Sequence, residues 1–409
     1  MAPGVPWRRR LLTYMAITVA YVCVITMLRL YNLVPLHSGD EKYYIEAGLR
    51  YISGATPISI NMEHPPLAKY IIGICTGTGI TYVCPSLSIA GTVAAIAEVI
   101  LLITGSVYAW LSVLLAVIAD PLFVSLASHN LLDTYMLLFE ALAILVYARL
   151  LRLGVTKRRL VLLGVCMGAA LASKMASLYL LAGIVAHMVL SRSLAGDVRT
   201  RARFVGIIVL AATLVYTSAY LVDILRGGLG LLVKHHIEMV EYMGDRHSYT
   251  MFVAVNGMLS YMFHIEIWRY IGNITIYITT LDNTTTGISS VEYHFYDKPH
   301  PFVKLRPALG NLVLPLTLVL AAAAPMISDR YRRLVSLLHY ASMLMLLHGP
   351  IWWYLAQPVM TGHMVLAVYP SERRKLKLMV HVAGSIAAWM LYLVLRNYTG
   401  TGDLTLTIA

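Results

Sequence analysis

Charge is what this chain has least of. Only 13% of its 409 residues are Asp, Glu, Lys or Arg, against about 25% in a soluble domain. Hydrophobic residues make up 59%, and the mean hydropathy is +0.72. One soluble core cannot hide that much apolar surface, so lipid is the solvent the sequence asks for. Acid is scarcer than base, which leaves a net charge of +12. The basic residues do not gather on one face as a nucleic-acid binder requires. They fall in short clusters between apolar runs: Arg8–Arg10, Lys157–Arg159, Arg199–Arg203, Arg330–Arg333 and Arg373–Lys377. That is the positive-inside pattern of a polytopic membrane protein. Cysteine is also sparse, with Cys23, Cys75, Cys84 and Cys166 and no CxxC pair. Three of them lie in or beside apolar runs and read as packing residues, with a Cys75–Cys84 bridge on the outer side as the alternative.

The first apolar run, Leu11 to Leu28, is too long for the core of a cleaved signal peptide and has no small-residue cleavage site after it. It reads as a retained span. Eleven candidate spans follow from apolar length: 11–34, 86–105, 107–127, 131–150, 160–174, 176–190, 204–224, 308–327, 334–348, 351–370 and 377–395. With the N-terminus cytoplasmic, alternation puts every basic cluster inside and segments 35–85 and 225–306 outside. This parity requires the semi-apolar stretch 67–82 to lie along the outer interface rather than cross. The sequons at Asn273, Asn283 and Asn397 fall outside in this scheme. No internal repeat or low-complexity linker divides the chain, so residues 1–409 read as a single membrane-embedded domain of all-α class.

The polar chemistry concentrates in the two outer segments. Gly39-Asp40-Glu41-Lys42 follows the first span directly, and Glu63-His64-Pro65-Pro66-Leu67-Ala68-Lys69 comes soon after. Two carboxylates at a span end are costly near lipid unless they are paired or functional. The prolines set an extended lead into a helix that carries Lys69 one turn in.

These residues resemble the protein O-mannosyltransferase family, glycosyltransferases of the GT-C architecture that use lipid-phosphate sugars. The likeness extends to Ala119-Asp120-Pro121, Leu131-Leu132-Asp133, Gly164 through Gly168 to Ser173-Lys174, Tyr293 to Pro299, Leu305-Arg306-Pro307 and Leu309-Gly310-Asn311. Departures are equally specific. Ser128, with His129 beside it, stands where the family has an arginine before its Leu-Leu-Asp, and no arginine occurs between Arg50 and Arg149. His300 and Phe302 replace tryptophans, Leu312 replaces a proline, and no sugar-binding C-terminal module is expected.

The resemblance implies that Asp40 is the base taking the acceptor proton, with Glu41 orienting acceptor or base. The plain alternative is an ion pair with Lys42 or Arg50. His64, Lys69, Lys174 and Arg306 are the groups expected to hold the donor sugar and phosphate. Lys174 could instead snorkel, and His64 could cap a helix. Asp133, His129, Lys298 and Trp353 are expected in support, with helix capping the alternative for Asp133. His235, His236, Glu238 and His247 could be read as metal ligands, but adjacent histidines point to different helix faces, and no metal or other cofactor is expected. Glu98 is expected to be buried against another helix. Trp352-Trp353-Tyr354 reads as an interfacial belt, with Gln357, Pro358 and Gly362-His363 hinting at a broken helix that forms a carrier groove.

The expected function is inverting transfer of a sugar, with mannose foremost, from polyprenyl or dolichyl phosphate to a hydroxyl. A protein Ser or Thr is the first acceptor, and a lipid or glycan the second. The site would face the outer or lumenal side, of a plasma membrane in a prokaryote or the endoplasmic reticulum in a eukaryote. A secondary transporter or channel is the competing class. Its ionisable groups would sit at mid-membrane and its sequence would often repeat.

Overall fold

The structure, a computed structural model, describes residues 6–61, 63–191, 194, 197–246, 251–268, 274–278, 289–293, 302–322, 329–348, 351–369 and 373–407. His247, Asn273, Asn283, Lys298 and His300, with the run from His294 to Pro301, lie outside the described residues.

Helix dominates. In chain order the α-helices are α1 Trp7–Leu30, α2 Asp40–Ile52, α3 Pro57–Ile60, α4 Leu67–Gly77, α5 Val83–Thr104, α6 Val107–Ile118, α7 Pro121–Ser128, α8 Leu132–Leu153 and α9 Lys157–Ser173. They continue with α10 Leu178–Leu190, α11 Val198–Ser218, α12 Leu221–Arg246, α13 Met251–Phe263, α14 Leu316–Ala322, α15 Arg330–Met343, α16 Ala356–Val368 and α17 Arg374–Thr399. Among the described residues, α1, α5 and α17 are each long and apolar enough to cross a bilayer alone. Two bent pairs, α6 with α7 (59°) and α11 with α12 (108°), raise the number to five by length and composition. Several of the eleven expected spans therefore do not become straight crossing helices. Residues 107–127 break at Asp120-Pro121, where Asp120 caps α7 by accepting the Leu122 N–H at 2.9 Å and proline occupies the first helical position. α16 has only 13 residues, about 20 Å of helix where a hydrocarbon core needs about 30 Å. It is buried along its whole length, so its neighbours, not lipid, satisfy it.

The bundle grows by neighbour packing: α5 on α8, α8 on α9, α9 on α11, α6 on α17, and α15 on α16. Small residues permit the closest crossing. A Cβ on Gly164 would stand 2.5 Å from the Ile208 carbonyl oxygen, and one on Gly168 2.5 Å from that of Ala212, so α9 presses backbone to backbone on α11. The glycine spacing noted in the sequence thus serves helix packing. Met15, Val19, Met27, Leu210, Leu214, Met379 and Met390 stay exposed on α1, α11 and α17, as a lipid-facing wall requires.

Several polar groups inside this wall are paired. Glu98 on α5 accepts from Arg10 at 2.5 Å and from Tyr14 at 2.8 Å, which seats α1 against α5 as expected of a buried acid. Deeper in, Asp120, His363, His381 and Ser112 form one chain with contacts of 2.9, 2.8 and 2.5 Å, linking α7, α16, α17 and α6. A carboxylate only accepts, so His363 donates from Nε2. A neutral His363 then accepts from His381, which accepts in turn from Ser112.

The second outer segment is not a plain loop. It contains α12, kinked at Gly228 (φ 74°), and α13. It also carries strands β1 Ile265–Trp268, β2 Ile274–Ile278, β3 Ser289–Tyr293 and β4 Phe302–Leu305. A last strand, β5 Leu404–Thr407, joins from the chain end. The antiparallel sheet runs β1-β4-β5, with Glu266 opposite Lys304 and Val303 opposite Leu406, and β2 pairs with β3 as a hairpin. This small sheet is the β component that an all-α expectation omitted.

The first outer loop folds as α2 laid on α4. A Cβ on Gly48 would meet the Lys69 carbonyl oxygen at 2.4 Å, and one on Gly73 would meet the Gly48 carbonyl oxygen at 2.2 Å. Cys75 and Cys84 form a disulfide at the end of α4, so these two are cross-linked rather than packing residues. Because only backbone faces backbone at the crossing, Gly73→Ala is expected to force α2 off α4 and to cost about 1–3 kcal/mol. Thermal unfolding in detergent would measure it against Gly206→Ala, where a Cβ meets nothing within 4 Å. Equal melting of the two variants would refute the close crossing.

Candidate functional site

The acidic pair divides its labour. Glu41, in the first turn of α2, receives Arg29 through both nitrogens, at 3.3 Å to Oε1 and 3.0 Å to Oε2. Its Oε1 also accepts the Asn130 backbone N–H at 2.9 Å. Arg29 comes from the last turn of α1, stacks over the Tyr82 ring at 3.6 Å and donates to the Ser128 carbonyl. So Glu41 ties together the end of α1, the start of α2 and the link between α7 and α8. Its partners are neither Lys42 nor Arg50; Arg50 pairs with Glu46 one turn away. Ser128 stands where the resemblance anticipated an arginine, and Arg29 supplies a guanidinium at that place from another helix.

Asp40 opens α2 at its first position, next to the N-cap Gly39, and its N–H bonds the Ser38 hydroxyl at 3.2 Å. One turn on, Tyr44 is buried and reports on what surrounds this helix end. Burial chiefly pushes its hydroxyl well above the usual tyrosine range, and the charges of Asp40, Asp133 and Glu63 push it further in that order, with Tyr354 behind them. The ring of His64 lies edge-on to Tyr44 at 6.3 Å. Segments far apart in sequence thus meet around one tyrosine.

Asp133 and Lys174 meet there as a buried pair. Lys174 Nζ sits 2.8 Å from both Asp133 oxygens, with side chains 3% and 5% exposed. Lys174, at the C-cap of α9, does not snorkel, and Asp133 does not cap its helix. The Lys174 ammonium also faces the Tyr354 ring at 4.9 Å. Deeper along α8, Gln357 donates to buried Glu140 at 2.5 Å and to the Ala176 carbonyl at 3.2 Å.

Lys69 is fully buried and donates to Asn61 Oδ1 and the His64 carbonyl, both at 2.7 Å. Desolvation lowers it from 10.5 to about 7, with Glu63 pulling the other way. It therefore holds the 61–64 turn in place. Behind it stand Tyr51, 5.8 Å from the ammonium, and the ring cluster of Tyr216, Tyr220, His235 and His236. Tyr216 bonds His236 at 2.6 Å, so that histidine is held by tyrosine and by the Leu232 carbonyl. Among the described residues no group of three His, Cys, Asp or Glu is arranged to hold a metal.

On the other flank His129 bonds the Ser125 carbonyl at 2.8 Å and contacts His37 and Trp352 edge-on at 5.7 and 6.1 Å. Burial lowers both histidines below their usual range. Trp352 is 4% exposed and donates to the His37 carbonyl at 3.3 Å, so it is packed inside rather than belted at an interface. Trp353 stacks edge-on behind it at 5.4 Å. The helix after these residues is unbroken, because Pro358 falls in the first turn of α16, and it is wholly buried. The carrier groove read from Gln357 to His363 is therefore not there.

Arg306 is elsewhere. It precedes no helix of the site but is clasped in the β1-β4-β5 region by Glu266 at 3.0 Å and Asp403 at 3.1 Å. Two carboxylates already answer its charge. The structure thus gathers Asp40, Glu41, His64, Lys69, Asp133, Lys174, His129 and Trp353 about α2 and leaves Arg306 out. The sequence reading missed Arg29, Tyr44, Asn61, Asn130 and Tyr354. Only Arg29 carried a signal, a lone arginine closing an apolar run.

Residues 63–223 match the family model described as dolichyl-phosphate-mannose-protein mannosyltransferase. That segment is similar to this family. It holds His64, Lys69, Asp133 and Lys174 and begins after Asp40 and Glu41. In fold the chain is similar to the crystal structure of ArnT from Cupriavidus metallidurans bound to undecaprenyl phosphate. The TM-score is 0.59 at 13% identity, covering 96% of this chain and 66% of that one. No curated protein matches the chain.

Two outcomes follow from the buried groups. Lys174→Met should destabilise the protein by about 3–5 kcal/mol by stranding Asp133, and adding Asp133→Leu should restore much of it. A double-mutant cycle in unfolding free energy would read this, and additive losses would show that the two are not a pair. Lys69 binds its proton more weakly folded than unfolded, so stability should rise between about pH 7 and 10.5, the window between its folded and unfolded values. Melting curves should show that slope, and Lys69→Met should flatten it.

Proposed function

We propose that the protein transfers a sugar, with mannose foremost, from a polyprenyl or dolichyl phosphate to a hydroxyl acceptor, with protein Ser or Thr foremost. One observation carries this reading: the ring of His64, inside the matched segment, lies 6.3 Å from that of Tyr44, one turn along α2 from Asp40, which lies outside it. In the proposed reaction the acceptor oxygen gives its proton to the Asp40 carboxylate and bonds the anomeric carbon. The bond from that carbon to the phosphate oxygen breaks, and the electron pair leaves with the lipid phosphate. One displacement inverts the anomeric centre, so no second carboxylate nucleophile is needed.

Glu41 is assigned a positioning role, because its two oxygens are already engaged by Arg29 and Asn130. Lys69 is the cation assigned to offset phosphate charge, since Asp133 neutralises Lys174 and Glu41 holds Arg29 on both oxygens. An open apolar groove of about 640 Å³ between α11 and α12, edged by His236 and Tyr216, suits a prenyl chain. The Cys75–Cys84 disulfide supports an outer or lumenal position for this end, where thiols oxidise.

The test is transfer of labelled mannose from dolichyl-phosphate mannose to a Ser/Thr-rich peptide by purified protein. Asp40→Asn should lower the rate by about 10²–10⁴-fold with melting unchanged. Equal transfer by wild type and variant would remove Asp40 as the base. Failure with several lipid-phosphate sugars, alongside solute flux in liposomes, would replace transfer by transport.

A further inference from the structure

At the opposite end of the bundle from α2, among the basic clusters, lies a cavity of about 230 Å³ with no part in the proposed reaction. Its walls come from the ends of α5 and α16 and from the starts of α6, α15 and α17. We propose that this cavity is a binding site for a phosphate group, and that its natural occupant is the headgroup of an anionic lipid in the leaflet at that end.

Three independent features point the same way. Three cations line the cavity, Arg332, Arg374 and Lys377, against one carboxylate, Asp329. That carboxylate is committed: it accepts the N–H groups of Tyr331 at 2.8 Å and Arg332 at 3.3 Å as the cap of α15, and sits 3.8 Å from the Arg332 guanidinium. Lys377 is tethered to the Ala367 carbonyl at 2.9 Å and to the Tyr369 carbonyl, so its ammonium is held at the rim. Next, three helices begin here, and each start brings partial positive charge and unpaired N–H groups. α6 is capped by Ser106 and α15 by Asp329, but α17 has no side-chain cap and no acid in its first turn. An anion would complete it. Finally, the cavity lies where Arg8–Arg10, Lys157–Arg159 and Arg199–Arg203 also gather, the end that the charge pattern assigns to an anionic membrane surface. Exposed Leu376 and Met379 on α17 offer acyl chains a place beside the rim.

The experiment uses the full chain in detergent micelles. Native mass spectrometry follows retention of phosphatidic acid, phosphatidylglycerol and phosphatidylcholine, with thermal shift by inorganic phosphate in parallel. Phosphatidic acid should be retained best and phosphatidylcholine least. R332Q/R374Q should weaken phosphatidic acid binding by about tenfold or more. R374Q alone, at an exposed position, should weaken it partly with unchanged melting. R158Q/R199Q removes the same charge outside the cavity and should bind as wild type does. Equal binding by wild type and R332Q/R374Q, or an equal loss in R158Q/R199Q, would overturn the site. Protection by inorganic phosphate alone, abolished in R332Q/R374Q, would overturn the lipid as occupant and leave a soluble phosphate in its place.

Discussion

The candidate site depends on one carboxylate that does no chemistry in the proposed reaction. Glu41 takes Arg29 on both oxygens and the Asn130 N–H on one of them. These contacts lock three segments together: the end of α1, the start of α2 and the α7–α8 turn. Once α2 is so placed, Asp40 stands in its first turn, Tyr44 is buried beside His64, and the glycine crossing brings α4 with Lys69 alongside. A charge-assisted, partly buried hydrogen-bond network is strong enough for this because each member satisfies another.

The same economy governs the interior. A lipid-facing protein has no water to rescue an unpaired polar group, so each buried charge must find a partner inside the bundle. Arg10 answers Glu98, Lys174 answers Asp133, and the Asp120–His363–His381–Ser112 chain spreads one carboxylate's demand over four helices. These pairings explain how α16, too short to cross alone, can lie wholly within the protein. They also sort the expected donor-binding cations. Lys174 and Arg306 are already neutralised, while Lys69 is solvated only by carbonyl oxygens and keeps its proton weakly.

Much of the site was legible because its parts are local in sequence. Asp40-Glu41 at a span end and Glu63-His64-Pro65-Pro66 before Lys69 sit in short motifs whose residue types have few other uses near lipid. The disulfide was not legible, since a nine-residue separation in apolar surroundings reads equally as packing. Arg306 was assigned by its motif, and nothing local reveals that Glu266 and Asp403 would close on it. The break read at Gln357–His363 failed because proline within the first turn of a helix removes no intrahelical bond.

What the sequence determined by itself was the solvent and the predominantly helical class. These depend on composition and on periodicities within one segment. Which charge meets which was decided only by the tertiary structure, because a pair such as Arg29 and Glu41 or Asp133 and Lys174 is made by helices packed side by side. Side-chain neutralisation in a low-dielectric interior depends on angstrom distances between elements, and no spacing along the chain encodes those.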